Sequence, residues 1–259
     1  MPVFDPSHLL EGEIPRLIEG WLAEARAESG LPDQQLRAIG LGLLQRVKEL
    51  LSPERIGERM AYQETREVFV GIQALLCDAI DARVPETKGH SRKVAKYAVG
   101  IASHLGLPEW DIKTIEEAAL IHDIGKVSIT ASIFMKRGRL SSYEFSIVKR
   151  HPVIGANILR PINFMQAHIP LILHHHEKWD GSGYPFGLKG EDIPLGARII
   201  AAADMFDALT SDRPHRPAYS FHESKMIMLE EAGRSLDPRV VSAFSSYFEE
   251  LLSEALEGP

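Results

Sequence analysis

Apolar residues recur along this chain mostly three and four positions apart, the spacing of one face of an α-helix, with no alternation long enough for a sheet. Residues 8–82 read as helical. Leu17, Ile18, Trp21, Leu22 and Ala25 form one stripe, and Leu36, Ile39, Leu43, Leu44, Val47 and Leu50 form a second. Gly30-Leu31-Pro32-Asp33 separates them, and Ser52-Pro53-Glu54 opens a third helix with Ser52 as N-cap and Pro53 at its first position. Val94, Tyr97, Ala98 and Ile101 then predict an amphipathic helix, and Ile112, Ile115, Ala119 and Leu120 another over Glu109 to His122. Ser141-Ser142-Tyr143-Glu144 has the capping-box pattern, and the helix it opens is interrupted at Arg150-His151-Pro152. Further helices are expected over Ile169 to His176, Ile199 to Leu209, Phe221 to Ala232 and Pro238 to Leu251, with a long Gly/Pro-containing loop over Lys178 to Leu195. The expected fold class is all-α.

Composition narrows the classes. At 259 residues the chain can bury a core, and its formal net charge of -7 disfavours coating a nucleic-acid polymer or an anionic membrane, both of which require a basic face. Cys77 is the single cysteine, which excludes an intramolecular disulfide and fits a reducing compartment. No signal-peptide pattern opens the chain, and no run of about 18 apolar residues predicts a membrane span. The expected location is cytoplasmic.

The chemistry lies at the ends of the predicted helices. His174, His175 and His176 close one of them and are followed by Glu177 and Asp180-Gly181-Ser182-Gly183-Tyr184-Pro185. Adjacent imidazoles beside carboxylates suit metal ligation, because neutral imidazole is the commonest protein ligand for transition ions. His122 and Asp123 end a second apolar helix. The imidazole donates one atom, and the carboxylate can bridge two cations. Gly125 would turn the chain out of that helix, and Lys126 would stand near the ions as a point charge for phosphate. Glu86 and His90 are four apart, a spacing that puts both on one helical face and that also serves ordinary exposed contacts. His151 sits at the Pro152 break, where a ligand and a plain surface histidine are equally open readings. Asp204 and Asp207 lie three apart in an apolar segment, so a metal, a cation or strong hydrogen bonds must compensate them. Arg213 and Arg216 follow; they are either solvated or readers of phosphate and guanine edges. Glu86, His90, His122, Asp123, His151, His175, His176 and Asp204 are too many ligands for one ion. All are nitrogen or oxygen donors, which favours two or three ions of iron or manganese.

Taken in order, these motifs closely resemble the HD-GYP family of metal-dependent phosphodiesterases, a branch of the HD hydrolases. The resemblance runs from about Ala74 to Leu251. Its residues are Gly89-His90-Ser91, His122-Asp123-Ile124-Gly125-Lys126, His151-Pro152, His175-His176-Glu177 with Asp180 to Pro185, Leu188 to Pro194, Asp204 to Pro214, and Leu236-Asp237-Pro238. It implies an HD-type helical bundle over residues 74–259; residues 1–73 lie before the resemblance and read, from their apolar stripes, as a helical segment for dimerisation or sensing. The implied activity is hydrolysis of cyclic di-GMP to pGpG or GMP, with attack on phosphorus by a metal-bridging hydroxide. By motif, His90, His122, Asp123 and Asp204 would hold one ion, Asp123, His151 and His175 a second, and His176 and Glu86 a third. Lys126 would meet the scissile phosphate, and Arg213, Arg216 and Tyr184 the dinucleotide. A diguanylate cyclase (GGDEF) domain is the implied partner of the Gly-Tyr-Pro loop, and a homodimer is expected through the amino-terminal helices. The alternatives are an HD hydrolase for another phosphoester and a receptor without activity. Ile129 to Ile133, Arg137 and His215 depart from the family pattern, and His174 is an extra histidine expected not to be a ligand.

Overall fold

The computed structural model describes residues 89–134, 136, 138–212 and 216–257. The expectations for residues 1–73, Cys77, Glu86, Arg137, Arg213 and His215 therefore lie outside the described residues. Contacts divide the chain into two units, and of the first only Thr130 and α3 (Ala131–Phe134) are described. All other described residues belong to the second.

The described residues are helical and contain no strand; Ala232 and Leu236 form an isolated bridge. In order come α1 (His90–His104), α2 (Glu109–Ile121), a 3-10 turn (Ile124–Ser128), α4 (Ser142–Val148), α5 (His151–Leu159) and a 3-10 turn (Asn163–Met165). Then come α6 (Ile169–His174), a 3-10 turn (Gly190–Asp192), α7 (Leu195–Thr210), α8 (Phe221–Glu230) and α9 (Pro238–Glu257). No helix among them is long and apolar enough to cross a membrane.

The predicted stripes are the buried faces. Val94, Ala98 and Ile101 of α1 meet Ile115, Ala118 and Ala119 of α2 and Ile199, Ala202, Ala203 and Phe206 of α7 in the core. Phe206 is the centre of the aromatic packing. Its ring lies 4.9 Å from Tyr97, 4.9 Å from Phe244 and 5.6 Å from Phe221, in the edge-on and tilted geometries that such rings prefer. α9 closes the bundle with Val240, Val241, Phe244, Phe248 and Leu251.

Local chemistry sets the helix ends. Ser141 and Glu144 form the expected capping box: the Glu144 amide donates to Ser141 Oγ over 3.2 Å, and the Ser141 amide to Glu144 Oε2 over 2.6 Å. Ser220 and Glu223 repeat it at α8. The break at Arg150 is real: α4 ends at Val148 and α5 starts on His151 with Pro152 in its first turn. Asp237 caps α9 by accepting the Arg239 amide and pairs with Arg198 of α7.

One expectation is corrected. Gly125 does not turn the chain out of α2 through a left-handed conformation, since the chain leaves at His122 and Gly125 is not among the glycines with positive φ. Its requirement is space. A Cβ there would overlap the His151 carbonyl oxygen and stand 2.7 Å from the Gly155 amide nitrogen. The bare backbone lets the turn after Asp123 lie directly on α5.

Candidate metal centre

Four helix ends deliver the predicted ligands to one place. His90 opens α1, His122 caps α2 beside Asp123, His151 opens α5, and His175 caps α6 beside His176. Asp204 comes from the middle of α7. The donor atoms fall into two groups, each within 4.8 Å internally: Asp123, His151, His175 and His176 in one, and His90, His122 and Asp204 in the other. Asp123 faces both. Its Oδ1 is 3.2 Å from His151 Nε2, while its Oδ2 is 3.4 Å from His122 Nε2 and 3.7 Å from His90 Nε2. His176 therefore lies with His151 and His175, whose rings are 5.0 and 4.1 Å from its own. Glu86 is outside the described residues.

The main chain fixes which nitrogen of each ring faces inward. His122 Nδ1 donates to the Ala119 carbonyl over 2.7 Å, His151 Nδ1 to Val148 over 2.8 Å, and His175 Nδ1 to Ile172 over 2.6 Å. A carbonyl can only accept, so each Nδ1 carries the hydrogen and each neutral ring presents a lone pair at Nε2. His90 is oriented differently: its Nδ1 lies 2.7 Å from Asp207 Oδ2, the carboxylate–histidine arrangement that holds many metal ligands in place.

These lone pairs are badly placed for an empty protein. His151 Nε2 and His175 Nε2 stand 3.2 Å apart with neither able to donate to the other while neutral. His122 Nε2 and Asp123 Oδ1 are buried without a hydrogen-bond partner. Buried polar atoms are normally paired. A cation between them satisfies every one, and the nitrogen and oxygen donor set, with no thiolate, is suited to a divalent metal.

Electrostatics agree with that reading. Burial alone would push the Asp123 carboxyl up, but the Lys126 ammonium, then His122 and His151, hold it well below the usual carboxylate range. Burial likewise opposes ionisation of Asp204, and His90, His122 and His176 overcome it. Burial drives His175 well below the ordinary histidine value, with neighbouring imidazoles adding to it, and takes His176 down to about 3. Anionic carboxylates and neutral imidazoles are the protonation states that bind metal.

Around the cluster, Lys126 pairs with Asp123 Oδ2. Tyr184 lies with its ring 4.8 Å from His176. Its loop is pinned by a residue that sequence reasoning did not single out: the buried Glu177 carboxylate accepts the amides of Phe186, Gly187 and Leu188 over 2.8, 3.0 and 3.1 Å. Gly183 lets the loop double back, since a Cβ there would stand 2.5 Å from Glu177 Cα. His174 faces this loop, 3.7 Å from Glu177 Oε1 and 5.6 Å from the Phe186 ring, in neither ligand group. Arg216 is engaged at the end of α7, donating to Ala208 and Pro217 carbonyls over 2.8 and 3.0 Å and lying over Tyr219.

Residues 74–240 match the model of the HD domain family. The chain belongs to the HD domain family. In sequence this HD domain is 42% identical over 170 residues to the cyclic di-GMP phosphodiesterase response regulator RpfG of Xanthomonas campestris, covering 65% of this chain and 45% of that protein. It is 37% identical over 192 residues to 3'3'-cGAMP-specific phosphodiesterase 2 of Vibrio cholerae, covering 73% of this chain and 37% of the relative. The chain thus spans less than half the length of either. In structure it is similar to the cyclic GMP-AMP phosphodiesterase V-cGAP3 of Vibrio cholerae, with a TM-score of 0.54, 21% identity, and coverage of 71% of this chain and 49% of that one. Bd1817 of Bdellovibrio bacteriovorus, an HDG"Y"P protein, matches at TM-score 0.54 and 18% identity over 97% of this chain and 82% of its own. These likenesses bear out the all-α HD fold.

Proposed function

We propose that this HD domain is a metal-dependent phosphodiesterase that opens a cyclic dinucleotide, with cyclic di-GMP the favoured substrate and pGpG or GMP the product. The observation that carries the reading is Asp123, whose two oxygens face two separate groups of inward-pointing donors, 3.2 Å from His151 and 3.4 Å from His122. One carboxylate set between two such groups suits a pair of ions. His90, His122, Asp123 and Asp204 would hold one, and Asp123, His151, His175 and His176 the other. Were a third ion held, His176 and Glu86 would be its ligands. Iron or manganese fits these donors best. Bound there, the ions would supply a nucleophile at neutral pH and Lewis-acid stabilisation of the phosphoryl oxygens.

The chain's own groups do the rest. Lys126 places an ammonium beside Asp123, where it offsets negative charge gathering on the phosphoryl group or protonates the departing 3′ oxygen. Burial, and then the charges of Asp123 and Asp204, raise the Tyr184 phenol above its ordinary value, so it stays a hydrogen-bond donor at neutral pH. Arg213 and Arg216 remain the proposed readers of the dinucleotide, although Arg216 must share its guanidinium with α7. In this reading residues 74–259 are the hydrolase, and residues 1–73 a helical segment through which two chains pair in the cytoplasm. The Gly-Tyr-Pro loop is the proposed contact for a GGDEF partner.

The test is turnover by protein purified anaerobically, with bound metal quantified and products separated over time. Cyclic di-GMP is expected to give pGpG or GMP, and the His122→Ala/Asp123→Ala double variant is expected to lose both metal and activity. Full activity in that variant would refute the proposal. Because 3'3'-cGAMP-specific phosphodiesterase 2 is 37% identical to this chain, 3'3'-cGAMP belongs in the same assay, and its faster cleavage would move the substrate without moving the chemistry.

A further inference from the structure

α4 is unusual among the helices that surround the centre, because none of its residues is buried. It nevertheless aims an aromatic ring at the site. Phe145 is 45% exposed, and its ring lies 6.4 Å from that of Tyr184, nearly perpendicular to it. Tyr184 in turn stacks on His176, one of the candidate ligands. Lys149, one turn beyond Phe145, holds its ammonium 4.9 Å from the centre of the Phe145 ring and 5.5 Å from that of Tyr184. The result is a path of rings from the metal cluster to solvent, with a cation over its outer end.

Phe145 is outside the core, and α4 has other supports in its capping box and in Lys136, which donates to Glu144 over 2.8 and 2.6 Å. The ring path suits a ligand with a flat, electron-rich body and an anionic end. We infer that Phe145 and Lys149 form a base subsite: one purine of the cyclic dinucleotide stacks on Phe145 while the Lys149 ammonium, on its flexible stem, turns to the phosphate. Stacking on an aromatic side chain tolerates any base and contributes strongly to holding nucleotides. The same helix also orients a ligand, because the Val148 carbonyl accepts from His151 Nδ1. A base held on α4 is therefore registered against the centre by the element that sets His151. Phe145 and Lys149 touch no candidate ligand and act on substrate position. The inference rests on the proposed cyclic-dinucleotide reading.

The experiment compares the metal-loaded parent with Phe145→Ala and Phe145→Trp. For each, KM and kcat for cyclic di-GMP are measured together with its equilibrium binding by calorimetry and with inhibition by inorganic phosphate, which probes the centre without a base. Phe145→Ala is expected to raise KM and the dissociation constant about tenfold, with kcat, phosphate inhibition and metal content unchanged. Phe145→Trp is expected to restore both constants. Turnover with unaltered KM in Phe145→Ala would overturn the subsite and leave the hydrolase intact. Binding that depends on Phe145 without turnover in the parent would keep the subsite and overturn the hydrolase. Neither binding nor turnover in the parent would overturn both.

Discussion

Replacing Gly125 with alanine tests the architecture of the centre with one methyl group. Gly125 touches no ligand side chain, yet its Cβ would fall 2.7 Å from the Gly155 amide nitrogen and 2.8 Å from the His151 carbonyl carbon, and would overlap the His151 carbonyl oxygen. Carbon atoms pack comfortably at about 3.5–4.0 Å, so the start of α5 must retreat by about 1 Å. The neighbours are backbone atoms, which no rotamer change can move aside. Overpacking of this kind costs about 1–3 kcal/mol of stability. The retreat carries His151 away from Asp123, whose Oδ1 it now meets at 3.2 Å. A displacement of about 1 Å can cost about a hundredfold in rate. The expected variant folds with a lower Tm, binds metal at the group that contains His151 more weakly in chelator competition, and turns over cyclic di-GMP about a hundredfold more slowly. Parent-like Tm, metal content and turnover would show that α5 and the turn after Asp123 are not in the close register described.

Three further outcomes rest on contacts in other elements. Asp207→Asn removes the anionic partner of His90 Nδ1, and metal affinity measured against a chelator should fall about 10- to 100-fold, with unchanged affinity refuting the orienting role. Glu177→Gln weakens the three amide bonds that pin residues 186–188; each hydrogen bond to a charged group is worth about 1.5–3 kcal/mol, so these amides should exchange hydrogen faster while those of α7 do not. The Glu144 carboxyl is held at about 2 by the Lys136 ammonium and then by the Ser141 amide. Its folded value lies below the unfolded one, so its contribution to α4 is present above about pH 4.5 and lost as pH falls toward 2. An NMR titration of the Glu144 side chain with an ordinary midpoint would refute that pairing.

The helices and the candidate ligands are legible because both signals are local. Apolar residues at helical spacing marked α1, α2 and α7, and His122-Asp123 and His175-His176 stood out as chemistry at the ends of apolar helices. What escaped depends on residues far apart in sequence. Asp207 was noticed as needing compensation, but its partner His90 lies 117 positions earlier. The buried Glu117–His168 pair, at 2.8 Å, joins residues 51 apart and left no sequence signal. For Glu177 the available clue is an acid set between three histidines and a glycine-rich loop whose amides need an acceptor. At Gly125 the sequence suggests a turn former, because glycine's two uses, positive φ and missing bulk, look alike in a sequence.

Three of the inward-facing histidines take their orientation from carbonyl oxygens three residues earlier in their own chain. Every amino acid at those positions supplies the same carbonyl. The aim of these ligands is thus inherited from the helical path and is indifferent to which side chains Ala119, Val148 and Ile172 carry. Substitution on the rim, at Phe145 or in the loop after Tyr184, removes none of these backbone acceptors, so the candidate ligands keep their aim while the surface around them changes.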